Sequence, residues 1–396
     1  MTAFTTVTPQ KPSRWWVHLA GAVGGVLLSA CSVAQTPRVV DGLRIDKVLD
    51  GLGHPWSLAF FPAAPGQAPQ ALVMQRNAGL LLVDAPAQGH WTVVAPVAVP
   101  GVRVAVQGQG GWFDVALHPD FARQPWVYLS ANGQDEQGRL GTELWRARWT
   151  GTALGPPQPL LSMQPKSRAV HHFGGRIVLD GQGHVFLTLG DRGEMARAQR
   201  PDDHAGSVVR LTEDGQVPTD NPWVSQPAWL PQQYSKGHRN IQGAALHPVT
   251  GQLWTHEHGP QGGDEINVVR PGVNHGWPVI THGVNYGSGT AIGVGTHQAG
   301  MAQPLHTWVP SIAPSGMAFV PPDSQTFTAW RGQLLVGALR DQMLVRLELD
   351  GERVVREHRL LPGTLGRIRD VRIGPDGLIY VLTDANPGAV YRLSPV

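Results

Sequence analysis

The sequence predicts an all-β chain built as a six-bladed propeller, and three observations carry that reading. Gly (49) and Pro (34) are abundant in a 396-residue chain that is 41% hydrophobic and 15% charged, which favours many turns and few long helices. Six segments share one pattern of apolar strand, polar turn and second apolar strand: 57–75, 115–130, 177–191, 244–259, 317–339 and 371–384. Taking Leu58, Val115, Ile177, Ala244, Met317 and Val371 as equivalent starts, the spacings are 57, 62, 67, 73 and 54 residues, a period suited to four-stranded blades with long loops.

The outer strands follow the same logic. "GLLLVDA" (79–85), "TELWRARW" (142–149), "MLVRLELDG" (343–351) and "AVYRLS" (389–394) alternate or carry β-branched and aromatic residues, as third and fourth strands should. A pair of β-sandwiches gives no reason for six similar units. The propeller is assigned residues 43–396.

Residues 1–30 read differently. Lys11 and Arg14 precede an apolar run over 17–28, too short for a comfortable membrane span and right for a signal-peptide core. It ends in Leu28-Ser29-Ala30-Cys31, which resembles a bacterial lipobox, and Cys31 is the only cysteine. The expectation is export, lipid on Cys31, a tether over 31–42 and attachment to the outer membrane on its periplasmic side. Cleavage after Ala34 is the alternative. The formal net charge of +2 comes with scattered Lys and Arg, so no nucleic-acid partner is expected.

In a propeller the segments entering each blade's first strand meet on one face, and here they are rich in chemistry. "GQGGWFD" brings Gln109; "HHFGGR" brings His171, His172 and Arg176; "GHRNIQG" brings His238, Arg239, Asn240 and Gln242; "GRIRD" brings Arg367, Arg369 and Asp370. Arginines converging on one channel would repel one another unless an anion neutralised them, which points to a bound polycarboxylate or phosphate. His171 and His172 are adjacent on what reads as an extended segment, so only one should face the channel. In "EHGPQGGDEINVVRPGVNHGWP" (257–278) the glycines allow turns that aim carbonyls inward, and Asp264 and Glu265 offer the hard oxygens Ca²⁺ prefers. His256 and His258 stand two apart, facing the same side of a strand, which is no zinc-protease pattern.

These motifs, with "SGMAF" and "GRIRDVRIGPDGLIYVLTD", resemble in order, over 44–393, the quinoprotein glucose and aldose sugar dehydrogenases. That resemblance implies a six-bladed propeller that uses pyrroloquinoline quinone (PQQ) and Ca²⁺ to oxidise aldoses at C1 to lactones. It implies His172 as the base, with Gln109, Arg239, Asn240, Arg340, Arg367 and Arg369 holding the quinone. The carbonyls of Gly259 and Pro260 would hold the Ca²⁺ beside it, and Glu265 with the backbone of His275 a second one. An external quinone or cytochrome would accept the electrons. Three positions depart from the family's usual residues: Arg340 for Lys, His171 for Asp or Asn, and His275 for Tyr. Two other readings stay open, a lipid-anchored propeller that binds an anionic sugar without chemistry and a Ca²⁺-dependent propeller lactonase, which needs several acidic ligands in the channel.

Overall fold

A computed structural model describes residues 38–62 and 68–396. The expected signal peptide, the lipobox with Cys31 and the tether up to residue 37 lie outside the described residues. The described chain forms six antiparallel sheets, five of four strands and one of five. The innermost strands are Pro55–Phe60, Trp112–Leu117, Gly174–Leu179, Ile241–Leu246, Pro314–Phe319 and Ile368–Ile373, and each carries one of the expected repeat starts. Each packs against the next, and the last returns to the first, so the blades close a ring around a channel.

The closure comes from residues far apart in sequence. Leu43–Leu52 pairs antiparallel with Gly388–Pro395, placing Leu43 opposite Pro395 and Ile45 opposite Leu393. The N-terminal strand is thus the fourth strand of the last blade, and Arg38–Val40, inside the expected tether, adds a fifth at its edge.

Apolar side chains alternate along the strands and fill the gaps between neighbouring blades. Trp254, Ile266, Met317, Leu334 and Val336 form one such layer between the fourth and fifth blades. Leu43, Ile45, Leu335, Ile368, Ile379 and Leu393 form the next, between the fifth and sixth. Burial of each large side chain stabilises the fold by about 1.5–3 kcal/mol.

Each innermost strand also breaks register with its neighbour near the end where it enters the sheet: at 55/57, 112/115, 174/177, 241/243, 315/317 and 368/370. An extra residue in one strand of a pair re-aims side chains. Repeated six times at one end of the channel, it turns polar groups toward a common mouth.

Candidate active site

His172 sits at that mouth in a left-handed conformation, φ 53°. For a residue with a Cβ this costs roughly 1–2 kcal/mol, so the surroundings must hold it there. Gln109 Oε1 accepts its backbone N–H at 2.9 Å. Its carbonyl lies against Gly190, where an added Cβ would stand 2.2 Å from the oxygen. The imidazole Nδ1–H donates to Asp191 Oδ1 at 2.7 Å. Asp191 is buried and held in turn by the Gly193 N–H at 2.7 Å and by Trp277 Nε1–H at 2.8 Å. Nδ1 therefore carries a proton, and Nε2 is left as an acceptor.

Burial pushes the His172 pKa below its ordinary value; the Asp191 contact opposes this and the Arg239 charge adds to it. Burial works against ionisation of Asp191, but its bond to His172 and neighbouring donors outweigh it and keep the carboxyl below the usual range. The pair is a neutral base backed by a carboxylate at neutral pH. It borders a cavity of about 280 Å³ lined also by Arg239, Pro260, Trp277, Tyr286 and Ile292.

The expectation that the two histidines face opposite ways is wrong. Because His172 is left-handed rather than extended, both rings line the same cavity and meet edge to face, with centroids 4.8 Å apart.

A second cavity, of about 190 Å³, gathers Gln109, Asn240, Gln242, Arg367, Arg369 and Asp384, with Trp56 and Phe173 as apolar walls. Arg369 donates to Gln242 Oε1 and Ser315 Oγ, both at 3.0 Å. Arg367 and Arg369 share Asp384, at 3.2 and 3.3 Å. Burial disfavours the Asp384 charge, yet Arg369, His54 and Arg367 hold its carboxyl well below the usual range. One carboxylate for two guanidinium groups leaves room for an anionic ligand, and the buried Arg369 Nε has no partner.

Other expected residues fall elsewhere. Arg176 is not at the mouth; it is buried in the channel between Asp114 (3.3 Å) and Asp370 (3.1 Å), which also pair with Arg372. Arg340 is exposed, donates to the Ser311 carbonyl, and is absent from the lining of both cavities. Asp264 has no oxygen to spare for a cation. It accepts from Gly259 N, Ser311 Oγ, Ile312 N and Ala313 N at 2.7–2.9 Å, tying the glycine-rich loop to the next blade.

That loop does present groups suited to cations. The Gly259 carbonyl accepts from Arg239 Nη1 at 2.6 Å, so it already faces positive charge, and Pro260 borders the His172 cavity. Glu257 and Glu265 are cross-strand partners and share a small cavity with His275 and Thr281. Burial raises both carboxyls to about 8, and for Glu265 the charge of Glu257 adds to the rise. The His275 ring stacks on His238 at 4.4 Å, and neither of its nitrogens has a partner. Glu257 already accepts from His238, Arg239 N and Asn267, whereas Glu265 accepts only from Asn267, so Glu265 is the hard oxygen free for Ca²⁺ and a divalent cation would offset the charge of the pair.

Sequence reasoning missed Asp191, Trp277, Glu257 and Asp384. Asp191, Glu257 and Asp384 stand at or just beyond the end of a blade's second strand: His184–Leu189, Leu253–Glu257 and Ile379–Thr383. In a propeller that strand returns to the face where the first one enters, so a polar residue at its exit is the signal that would have found them.

Comparison with known proteins fits this geometry. Aldose sugar dehydrogenase YliI of Escherichia coli (strain K12) is 38% identical over 360 residues, covering 89% of this chain and 93% of the relative. The crystal structure of the soluble aldose sugar dehydrogenase from Escherichia coli in the apo-form superposes with a TM-score of 0.82 at 38% identity, covering 89% of this chain and 100% of the other. The PQQ-bound aldose sugar dehydrogenase from Streptomyces coelicolor gives a TM-score of 0.70 at 27% identity, covering 91% and 99%. With the Glucose / Sorbosone dehydrogenase family model matching residues 52–392, the chain belongs to that family.

Proposed function

We propose that this protein oxidises aldose sugars at C1 to lactones with PQQ and Ca²⁺, and passes the electrons to an external quinone or cytochrome. The observation that carries the reading is the His172–Asp191 pair opening on one cavity beside a second lined by arginines and amides. The PQQ-bound relative supports the choice of cofactor. When bound, the quinone supplies a two-electron acceptor for the C1 hydride and Ca²⁺ the Lewis acid that polarises it.

The chain's own residues do the rest. His172 Nε2 takes the proton of the anomeric hydroxyl, and Asp191 stabilises the imidazolium that forms. Arg367, Arg369 and Asn240 would hold the quinone, Gln109 holds the backbone of the base, and Arg239 lines the His172 cavity. The carbonyls of Gly259, which now accepts from Arg239, and Pro260 would hold Ca²⁺. Glu265 and the backbone at His275 would offer a second site, beside Glu257, which His238 and Arg239 N already hold. Arg340, bonded to the Ser311 carbonyl and lining neither cavity, is given no contact with the quinone.

The lactonase alternative loses support because the channel carboxylates Asp114 and Asp370 are taken by Arg176 and Arg372. Lipid anchorage through Cys31 belongs to the same proposal, and Cys31→Ala should release the protein from membranes. The test of function is apoprotein given aldose and a dye acceptor. Turnover is expected only when PQQ and Ca²⁺ are both added and should fade on chelation; turnover with a nicotinamide cofactor alone, or none with quinone and Ca²⁺, overturns the reading.

A further inference from the structure

The turn that supplies Asp191 continues into Arg192 and Gly193, and Arg192 is the least expected of the three. Its side chain is wholly buried, yet no carboxylate lies within ion-pair distance of it among the described residues. A buried cation whose nearest carboxylates, Asp191 and Glu194, act on it only from beyond ion-pair distance is costly and persists only where its hydrogen bonds matter. Those bonds go to two backbone carbonyls just ahead of the base: Nη1 donates to His171 O at 2.5 Å, and Nη2 donates to Ala169 O. The guanidinium carbon stands 3.4 Å from the centre of the Phe173 ring, on the other side of His172 in sequence. Phe173 in turn packs on Phe113 and lines the arginine-rich cavity. Burial lowers the guanidinium pKa to about 9, so it stays charged at neutral pH.

We propose that Arg192 is a positioning residue: by clamping the carbonyls of Ala169 and His171 and stacking on Phe173, it holds His172 in the left-handed conformation that keeps Nδ1 on Asp191. The peptide between His171 and His172 carries the constraint. Its carbonyl is fixed by Arg192 and its N–H by Gln109, so it cannot rotate toward an extended conformation. Asp191 fixes the ring and Arg192 fixes the backbone, from adjacent positions of one turn. Gly193 completes the arrangement, since a Cβ there would stand 2.0 Å from His171 Nε2.

This inference rests on His172 as the base, so the experiment has two arms. In the first, ¹⁵N-histidine-labelled apoprotein is observed by NMR, where the hydrogen-bonded Nδ1–H of His172 gives a downfield proton resonance assigned by its loss in His172→Ala. Arg192→Met should abolish or shift that resonance in folded protein, Arg192→Lys should partly retain it, and Phe173→Leu should move it less. In the second, the same variants loaded with quinone and Ca²⁺ should show kcat lowered roughly 10- to 100-fold for Arg192→Met, with KM and quinone affinity within about 3-fold of wild type. If Arg192→Met does not fold, Arg192→Lys and Phe173→Leu carry both arms. An unchanged resonance in folded Arg192→Met, or in both milder variants when Arg192→Met does not fold, overturns the proposal. So does a kcat that falls only in step with quinone affinity. Wild-type protein without sugar oxidation would defeat the functional reading, while the NMR arm would still decide the positioning role.

Discussion

Replacing Asp191 by Asn changes one atom type at the centre of the proposed chemistry. The carboxylate accepts three hydrogen bonds, from His172 Nδ1, Gly193 N and Trp277 Nε1, at 2.7–2.8 Å. An amide has one oxygen, so its NH₂ must face at least one of these donors, leaving a buried mismatch worth about 1–3 kcal/mol of stability. If the NH₂ faces His172, the ring must accept at Nδ1 and carry its proton on Nε2, the nitrogen that should take the sugar's proton. In either orientation the charge partner of the imidazolium is gone. At a contact of this kind, with an effective dielectric near 20, that partner is worth about 3–4 kcal/mol, or roughly 10²- to 10³-fold in kcat. The assay is steady-state sugar oxidation with a dye acceptor, beside a quinone titration. The cavity holding Arg367 and Arg369 is not lined by Asp191, so quinone affinity should stay within about 3-fold. Asp191→Asn protein that retains quinone and turns over within about 5-fold of wild type would refute the reasoning.

Three further outcomes are expected. Because burial, against the pull of Asp191, lowers the His172 pKa, and the base acts when neutral, kcat should be flat through neutral pH and fall only as the pH drops below 6.5; an acid limb centred above 7 contradicts this. Glu257 and Glu265 have folded pKa values raised to about 8, so the stability of their protonated forms is present below pH 4.5 and is lost as pH rises from there through 8. Ca²⁺ should therefore raise Tm more at pH 8 than at pH 6 and release protons on binding, read by calorimetry in two buffers; Glu265→Gln with an unchanged Ca²⁺ response contradicts it. Leu43→Ala and Leu393→Ala, on the two strands that close the ring, should each cost about 2–5 kcal/mol and less than the sum together, since both side chains share one cluster; additive losses in denaturant unfolding would mean the strands do not pack as a unit.

The architecture was legible because a strand buried against neighbouring blades needs apolar side chains at alternate positions, and Leu58, Val115, Ile177, Ala244, Met317 and Val371 mark that need locally. Closure was not, since the pairing of Ile45 with Leu393 spans nearly the whole chain and leaves no local trace. At the site, residue types were readable and orientations were not. His172 was singled out, but its left-handed backbone depends on Gln109, Gly190 and Asp191, which only the folded chain brings together. Arg176 and Asp264 have the right chemistry for an anion and a cation, and each is instead satisfied by partners from other blades, Asp114 and Asp370 for one and Ile312 and Ala313 for the other. Asp191 stood in plain view between a strand end and a glycine, a common place for a turn residue, and nothing local separates that role from its hold on a histidine.

The most direct test of the central claim is a single anaerobic turnover. Protein loaded with PQQ and Ca²⁺ is mixed with excess aldose without any acceptor, and the quinone absorbance is followed alongside the lactone formed. About one equivalent of quinone per chain should be reduced, matched by one of lactone, fast in wild type and slowed by the base's typical 10²- to 10⁴-fold in His172→Ala at equal quinone loading. Quinone that stays oxidised in wild type, or is reduced as fast in His172→Ala, would contradict it.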